Sequence, residues 1–566
     1  MQLLYVFLIE LSKNRIFGFK RKILFVALLF SNLLACGGGS GEQTASNSTT
    51  PTNNQTTLNS TEVISSPEIN LVSMSGSISF DFVPHNTFTN GLDYDSAYAA
   101  PAKGIAVEAV NAAEQVLAHT STDSNGNFQL DLPVSTDVRI RAYAQLISTE
   151  PQWNISVTDN TNSNALYAIQ TSLASTGTSA TERNLHAQSG WDGFRYSETR
   201  AAAPFAILDA IHQGLEKIVR VDSNLSLPAL EVRWSPENRA TRGDKALGHI
   251  GNSHYATAEN VIYLLGSEDN DADEYDRHVI GHEFGHFLDF NLFRSDSIGG
   301  AHSLNESLDM RVAFGEGFAN AFSAISLDDE NFRDSLGPSQ QWGFTFNIGN
   351  TRVSKPGWFN EASIQQFIYK YYNNNFSNFK NIFNVLNSDK YINSQAITSV
   401  HLFGSLLISE SPESSHRVNA LANENGFTIS NIWGDDESND GEESTALPIY
   451  KTLTLNGPPI NVCSTNSNGD YNKHANTAFI KASLPSKAYY TINATRSSGL
   501  ASSNPDFWVY QKGLLYGIAD SDVSNSETMT QAYNAGVAVI ALWDANNKDK
   551  TSGGGEVCFD VRISNE

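Results

Sequence analysis

The chain has 566 residues, of which 61 are acidic and 36 are basic, and its formal net charge at pH 7 is −25. A chain this negative is not expected to bind nucleic acid or to attach electrostatically to anionic lipid. Its length is enough for roughly three folded domains besides any targeting segment.

The N-terminal residues predict export. Residues 20–35 begin with basic side chains and continue as a short apolar run, which is typical of a secretory signal. The run ends at Cys36 in a sequence that resembles a bacterial lipobox, and this resemblance implies cleavage before Cys36 and lipidation of its thiol. An ordinary signal peptide followed by a chance cysteine is the alternative. Residues 37–70 are mostly Gly, Ser, Thr, Asn and Gln, which predicts a flexible tether.

We therefore expect residues 1–36 to be a lipoprotein signal and the mature chain to meet the membrane through its N-terminal lipid. The expected location is a bacterial cell envelope, at the outer membrane, facing either the periplasm or the exterior.

Residues 71–172 alternate between apolar and polar side chains as strands do, and Asn125 with Gly126 forms a hairpin-turn signal. Residues 104–107 and 122–128 resemble the carboxypeptidase regulatory-like domain. That resemblance implies a small β-sandwich that serves as a scaffold or binding module and not in catalysis.

Two histidines and a glutamate within residues 282–286 have the H-E-x-x-H spacing. On a helix, His282 and His286 lie one turn apart on one face, so their imidazoles can share one tetrahedral Zn²⁺. Glu283 is then close enough to act as a general base for water at the metal. The β-rich run 260–265 and the acidic run 267–274 precede the motif, which predicts a strand, a loop and then a helix over 275–290.

A catalytic zinc site needs a third protein ligand and one open position. Residues 313–322 predict a second helix, and Glu316 on it is the favoured third ligand. Asn320, one turn later, is expected to hydrogen-bond a ligand histidine. Small residues are expected to let the two helices approach closely: Gly315, Gly317 and Ala319. Other carboxylates and one imidazole in the intervening loop are rival third ligands: Asp296, His302, Glu306 and Asp309.

These two motifs resemble those of the gluzincins, the thermolysin-like metallopeptidases, and the resemblance extends over roughly residues 185–450. It implies His282, His286 and Glu316 as zinc ligands and Glu283 as general base. The metzincin pattern is excluded, because Asp289 and Leu292 stand where that pattern has Gly and His. Compared with thermolysin, the gap to the third ligand is longer, and Asn320 replaces an aspartate.

The Gly- and Ser-rich residues 294–303 are expected to run beside the cleft. His302 in this loop can stabilise an oxyanion, or it can be an ordinary hydrogen-bonded loop histidine. His254 and Tyr255, before the predicted edge strand, allow the same two interpretations, and for all three the ordinary one is favoured.

Asp269, Asp271 and Asp273 stand at alternate positions, a spacing that could bind Ca²⁺. Because the glycine and the closing glutamate of an EF-hand are missing, a solvated loop at a helix start is favoured. Residues 434–443 predict a charged linker.

Residues 451–566 return to strands, and their order resembles bacterial pre-peptidase C-terminal domains, which implies a β-sandwich. An unrelated β-sandwich is the alternative. If Cys36 carries lipid, Cys463 and Cys558 are the remaining cysteines, which suits one disulfide in an oxidising compartment.

The predicted architecture is multidomain, with an α+β zincin catalytic domain flanked by an N-terminal and a C-terminal β-sandwich. The predicted function is an exported, lipid-anchored zinc peptidase that acts on proteins or peptides through water activated by the metal. The alternative is a surface binding or adhesion protein whose zincin domain is inactive or structural.

Overall fold

A computed structural model describes residues 70–268, 270–373, 375–549 and 554–565 of the chain. The predicted signal segment, Cys36 and all of the tether except Asn70 lie outside the described residues. Among the helices in the described part, none combines the length and the apolar character that crossing a bilayer requires.

The first part of the chain is built from strands. Alternate residues of the long strands are buried, as the sequence alternation predicts, so each strand presents one apolar face. The strands are β1 (Leu71–Phe82), β2 (Tyr98–Pro101), β3 (Ile105–Asn111), β4 (Val116–Ser121), β5 (Asn127–Pro133), β6 (Asp137–Thr149), β7 (Gln152–Asp159), β8 (Ala165–Leu166), β9 (Ala168–Gln170), β10 (Ala174–Ser175), β11 (Thr181–Glu182) and β12 (Leu185–Ala187).

The middle of the chain is mostly helical. Its elements are α1 (Ala203–Val219), β13 (Leu230–Trp234), β14 (His254–Ala256), β15 (Val261–Leu264), β16 (Gly266–Ser267), β17 (Asp271–Ala272), α2 (Arg277–Asn291), α3 (Met310–Leu327), β18 (Asn331–Leu336), β19 (Trp342–Asn347), α4 (Glu361–Tyr372), α5 (Phe376–Leu386), α6 (Asp389–Ile392), α7 (Val400–Glu410) and α8 (Ser415–Glu424). The predicted helices over 275–290 and 313–322 correspond to α2 and α3.

The last part returns to strands and adds one short helix. Its elements are β20 (Tyr450–Leu453), β21 (Ile460–Ser464), β22 (Ala478–Leu484), β23 (Ala488–Ser498), β24 (Pro505–Gln511), β25 (Leu514–Ala519), β26 (Ser526–Tyr533), β27 (Gly536–Asp544), α9 (Ala545–Asp549) and β28 (Val557–Asn565). A five-stranded sheet (β20-β22-β27-β24-β25) and a four-stranded sheet (β21-β28-β23-β26) enclose one apolar core. This part is a β-sandwich.

The predicted boundary between residues 71–172 and 185–450 does not separate two sheets. Strand β7 pairs in parallel with β13, and a ten-stranded sheet follows the order β14-β15-β13-β7-β6-β3-β4, with β8, β9 and β10 beside it. This sheet and the five-stranded sheet that contains β1 share one core with the helices. The sequence predicts a β-sandwich over residues 71–172, and in the structure a sheet of this range continues beyond it, because β13 pairs with the edge of β7 that would otherwise expose unpaired backbone groups.

Helices α2 and α3 pack closely, and the residues that permit it are only partly those expected. A Cβ on Gly285 would lie 3.1 Å from Cα of Ala319, and one on Gly281 would lie 3.2 Å from Cα of Ser323. The glycines of α2 therefore supply the space, and Ala319 faces Gly285. Gly317 faces α4 instead, where a Cβ would meet the Ile364 side chain at 2.8 Å.

The predicted disulfide is confirmed: Cys463 on β21 is bonded to Cys558 on β28. The predicted linker over residues 434–443 is wrong, since this segment packs against the rest of the chain. Glu437 is buried and accepts the main-chain N–H of Thr428, while the carbonyl of Asn439 accepts the indole N–H of Trp358. Its charged side chains suggested solvent, but the carbonyls of Asn439 and Asp440 are hydrogen-bonded to Trp358 and His474.

Candidate metal centre

Helix α2 has two different faces. Its apolar side chains Ile280, Phe284 and Phe287 are fully buried in the core. The polar face carries His282 and His286, which are part-buried and lie one turn apart. Core packing on one side therefore fixes the direction of the two imidazoles on the other.

Three potential ligand atoms converge between α2 and α3. Nε2 of His282 and Nε2 of His286 are 3.0 Å apart, and Oε2 of Glu316 lies 3.2 Å from the first and 3.1 Å from the second. The two rings are nearly perpendicular, with an interplanar angle of 87°. The structure thus brings together the three residues that the sequence proposed as a ligand set.

Asn320 lies behind His282. Its Oδ1 is 2.8 Å from Nδ1 of His282, and its Nδ2 donates to Oε1 of Gln365 at 2.9 Å. The bond to Gln365 orients the Asn320 amide so that its oxygen faces the His282 ring and accepts a hydrogen bond from Nδ1–H. His282 is therefore held as the tautomer whose Nε2 lone pair points toward His286 and Glu316.

His302 also reaches this centre. Its Nε2 is 3.1 Å from Oε2 of Glu316 and 3.7 Å from Oε2 of Glu361, and its Nδ1 donates to the carbonyl of Gly300 at 3.1 Å. The other rival ligands lie in separate ion pairs. Asp296 pairs with Arg294, Glu306 with Lys473 and Asp309 with Arg311.

The loop that carries His302 is held by residues from the C-terminal part of the chain. Nζ of Lys473 donates to the carbonyl of Ala301 at 2.7 Å, and Nδ2 of Asn472 donates to that of Gly299 at 2.8 Å. No local pattern in the sequence indicates this support, because the partners are more than a hundred and seventy residues apart.

Glu361 is a site residue that the sequence analysis missed. It is the first residue of α4, where an acidic side chain is common for helix stability alone. Its side chain is buried, and its Oε2 faces His302 without a hydrogen bond among the described residues. The local pattern predicted a helix start and could not show that this start faces the centre.

Glu283 projects toward the edge of the large sheet. Its Oε2 accepts the main-chain N–H of Tyr255, on the edge strand β14, at 2.7 Å. The Tyr255 hydroxyl bonds to Asn260 and Asn291, and His254 stacks on Tyr263 and donates from Nδ1 to the Asn252 carbonyl. Neither side chain is directed at the ligand atoms, so β14 contributes its backbone.

The ionisable groups of the centre shift one another's pKa values. Burial opposes protonation of His286, but the Glu316 carboxylate outweighs burial and raises the pKa of His286 to about 9. His302 is governed by the same balance, and its pKa rises to about 10. Burial favours neutral Glu316, yet the surrounding imidazoles hold its pKa well below the ordinary value. Burial raises the pKa of Glu361 to about 7.

A cleft of about 420 Å³ opens beside these residues. His282, Glu283, His302 and Glu361 line it together with the aromatic rings of Phe332 and Phe344. The candidate ligand His282 and the proposed base Glu283 therefore face one concave surface that also offers apolar contacts.

No family model matches this chain, and no curated protein matches it. Three solved structures with similar regions each align with 20% of this chain. They are a pre-peptidase C-terminal domain of a collagenase from Bacillus anthracis (11% identity, 94% of that chain, TM-score 0.15), a surface-associated copper-binding protein from Methylomicrobium album BG8 (10%, 97%, 0.16) and a periplasmic inhibitor of g-type lysozyme from Aeromonas hydrophila (16%, 98%, 0.13). Similarities at this level carry no information about activity.

Proposed function

We propose that this chain is a zinc-dependent peptidase that hydrolyses bonds in protein or peptide substrates. One observation carries the proposal: two imidazole nitrogens and one carboxylate oxygen lie within 3.2 Å of one another beside an open cleft. A glutamate from the same turn of α2 lines that cleft.

The donor set fits zinc. Two histidines and one glutamate form a known catalytic zinc set, which leaves a position for water or substrate. The Asn320 hydrogen bond keeps the His282 lone pair on Nε2, the atom that faces the other two donors. Two lone-pair nitrogens and one carboxylate oxygen at such short separations repel one another unless a proton or a cation lies between them. We propose that His282, His286 and Glu316 hold the cation.

When bound, zinc would polarise the peptide carbonyl and lower the pKa of a water molecule. The remaining roles belong to the chain. Glu283 takes the proton of the attacking water and passes it to the departing nitrogen, and the Tyr255 N–H keeps its carboxylate beside the cleft. His302 donates a hydrogen bond to the carbonyl oxygen as negative charge develops there.

The edge strand β14 supports a peptide as the substrate. It is the terminal strand of the ten-stranded sheet, so one of its sides is not paired with any strand in the described part of the chain. An extended peptide can add to such an edge through main-chain hydrogen bonds. This placement lays a substrate along the strand that already contacts Glu283.

The test uses the purified chain and three measurements: zinc content by mass spectrometry, hydrolysis of casein, and hydrolysis of a mixed peptide library. We expect about one zinc per chain and cleavage that phenanthroline abolishes and added zinc restores. Stoichiometric zinc without cleavage of any peptide would contradict the proposal and favour a surface binding protein. Cleavage that survives complete zinc removal would contradict the role of the metal.

We also propose that the chain is exported and lipid-anchored in a bacterial envelope, on the basis of residues 20–36. Replacement of Cys36 by serine is expected to abolish incorporation of labelled palmitate and to release the protein from the membrane fraction. Equal palmitate labelling of wild type and Cys36→Ser would contradict the anchor.

A further inference from the structure

A cluster of four acidic side chains lies next to the candidate metal centre. Asp271 is on β17, Asp273 follows it, Asp276 immediately precedes α2, and Asp334 is on β18. One carboxylate oxygen of each lies within 4.8 Å of one oxygen of every other. The sequence expectation of a solvated loop is wrong here, since Asp273 and Asp276 are fully buried. Asp269 lies outside the described residues.

Two of the four carboxylates have protein partners. Asp276 accepts from Nε2 of His85 at 2.7 Å and from the main-chain N–H of Ser335 at 2.9 Å. Asp273 accepts from the hydroxyl of Ser253, which in turn accepts the N–H of Leu265. These bonds fix the positions of the Asp276 and Asp273 carboxylates.

The other two carboxylates are incompletely satisfied. Oδ1 of Asp271 and Oδ1 of Asp334 are both buried from solvent, and neither has a hydrogen-bond partner among the described residues. A buried carboxylate oxygen left without a partner costs free energy, so such atoms call for an explanation. Here both belong to residues of the same four-membered cluster.

The charge of the cluster is also uncompensated. Apart from His85, no lysine, arginine or histidine in the described ranges forms an ion pair with any of the four. Burial, reinforced by repulsion from the neighbouring carboxylates, raises the pKa of Asp271 and of Asp334. Four carboxylates this close together need shared protons or a cation.

We propose that Asp271, Asp273, Asp276 and Asp334 hold a Ca²⁺ ion. All the donors are oxygens, which suit a hard cation and disfavour zinc. Calcium accepts six to eight oxygen ligands in flexible geometry, whereas magnesium requires a near-ideal octahedron and retains its waters. The unpartnered oxygens are buried and not presented to solvent, which favours a small ion over the cationic side chain of a substrate.

The ion would join three separate parts of the fold. Asp276 precedes the first residue of α2, Asp334 belongs to the β18–β19 hairpin, and Asp271 and Asp273 lie between them in the cleft wall. Because His282 and Glu283 line the same cleft, calcium would stabilise part of the wall of the cleft that they share. The calcium site does not depend on the proposed peptidase activity.

The test measures calcium and zinc separately in the full chain. After dialysis against a calcium-selective chelator and return of calcium, we expect wild type to bind one calcium in addition to its zinc. Its unfolding temperature should rise by several degrees with added calcium, since a ligand that binds only the folded state stabilises it. A wild-type chain that takes up no calcium, or that exchanges it freely for equimolar magnesium, overturns the proposal.

The matched variants are Asp271→Asn with Asp334→Asn, and Asp131→Asn, which changes an exposed carboxylate on β5. The double variant should lose the calcium and its temperature shift but keep its zinc. In calcium-free buffer it should unfold at a higher temperature than wild type, because the repulsion is relieved. Asp131→Asn should behave as wild type. Retained calcium in the double variant overturns the proposal, and Asp334→Asn alone serves if the double variant does not fold.

Discussion

The main-chain N–H of Tyr255 donates a 2.7 Å hydrogen bond to Oε2 of Glu283. The bond joins the edge strand β14 to the polar face of α2 and therefore fixes the carboxylate relative to the strand on which a peptide would lie. A glutamine side chain also has an oxygen that can accept this bond, so the geometry can be kept while the base is removed.

Glu283→Gln is accordingly expected to retain zinc and to lose hydrolysis. General-base catalysis contributes roughly 10²–10⁴-fold, and the variant should lose about that factor in kcat. Zinc content and casein hydrolysis, measured on the same preparation, check the expectation. Wild-type turnover by a variant that has full zinc would exclude Glu283 as the base.

The identity of the third ligand can be tested with two buried glutamates that both face His302. Glu316→Gln should lower zinc affinity by more than the roughly 10–100-fold typical of a residue behind the ligands. Glu361→Gln should lower zinc affinity by no more than roughly 10–100-fold, because the Oε2 of Glu361 faces His302 and not the two ligand histidines. Titration with a competing chelator measures both. Comparable zinc loss in the two variants would mean that Glu316 has no special role.

Asn320→Ala removes the acceptor that fixes the His282 tautomer. Zinc affinity should fall by about 10–100-fold, as for other groups that orient a metal-bound histidine. Ser323→Ala is the control, since Ser323 lies on the same buried helix and its hydroxyl bonds only to the Asn320 carbonyl among the described contacts. Equal zinc affinity in Asn320→Ala and Ser323→Ala would disprove the orienting role.

The contact between α2 and α3 can be tested at two glycines. In Gly285→Ala the new Cβ would be 3.1 Å from Cα of Ala319, and overpacking of this kind costs about 1–3 kcal/mol, which is expected to exceed the helix-propensity gain of about 1 kcal/mol. In Gly315→Ala the nearest atom is 3.6 Å away, so the gain in helix propensity of about 1 kcal/mol should prevail. Denaturant unfolding should show the first variant less stable and the second unchanged or more stable. The reverse order would contradict the packing described.

His401 predicts one component of acid sensitivity. It is buried on α7, donates to the Thr428 carbonyl and has Glu437 at 3.9 Å. Burial lowers its pKa to about 4, so below its ordinary value of 6.5 the unfolded chain binds the proton first. Stability from this group is complete above pH 6.5 and is lost between pH 6.5 and 4, by roughly 3 kcal/mol in total.

His401→Gln removes that titration. The free energy of unfolding of the variant should therefore fall less steeply than that of wild type between pH 6.5 and 4. Urea titrations at several pH values measure the difference in slope, which does not depend on how much the substitution costs at neutral pH. Parallel curves for the two proteins would contradict the assignment.

The sequence predicted the local parts of the candidate site because they depend on short-range periodicity. His282 and His286 share a face at any helical spacing of four, and the small residues around Glu316 marked a second buried helix. His302 and Glu361 could not be placed this way, since their approach depends on a loop held by Lys473 and on the start of α4. The acidic run was wrongly predicted to be solvated for a similar reason. Composition alone could not show that β18 pairs with β17 and that Asp273 and Asp276 are buried.

Strand order shows the same limit. Alternation of apolar and polar residues identified the strands of residues 71–172. The extension of their sheet by β13 depends on a parallel pairing of Ile155 with Leu230, which no turn signal predicts. The C-terminal sandwich was easier to predict, because its strands and the two cysteines of its disulfide all lie within one contiguous segment of the chain.

The parallel pairing of β7 with β13 also bears on how this protein can change over evolutionary time. Recombination between residues 172 and 185 would leave one edge of β13 with unpaired N–H and C=O groups. It would also remove strands that share a core with α1 and α2. We therefore expect the helices of the candidate metal centre and the N-terminal strands to tolerate exchange only as one unit.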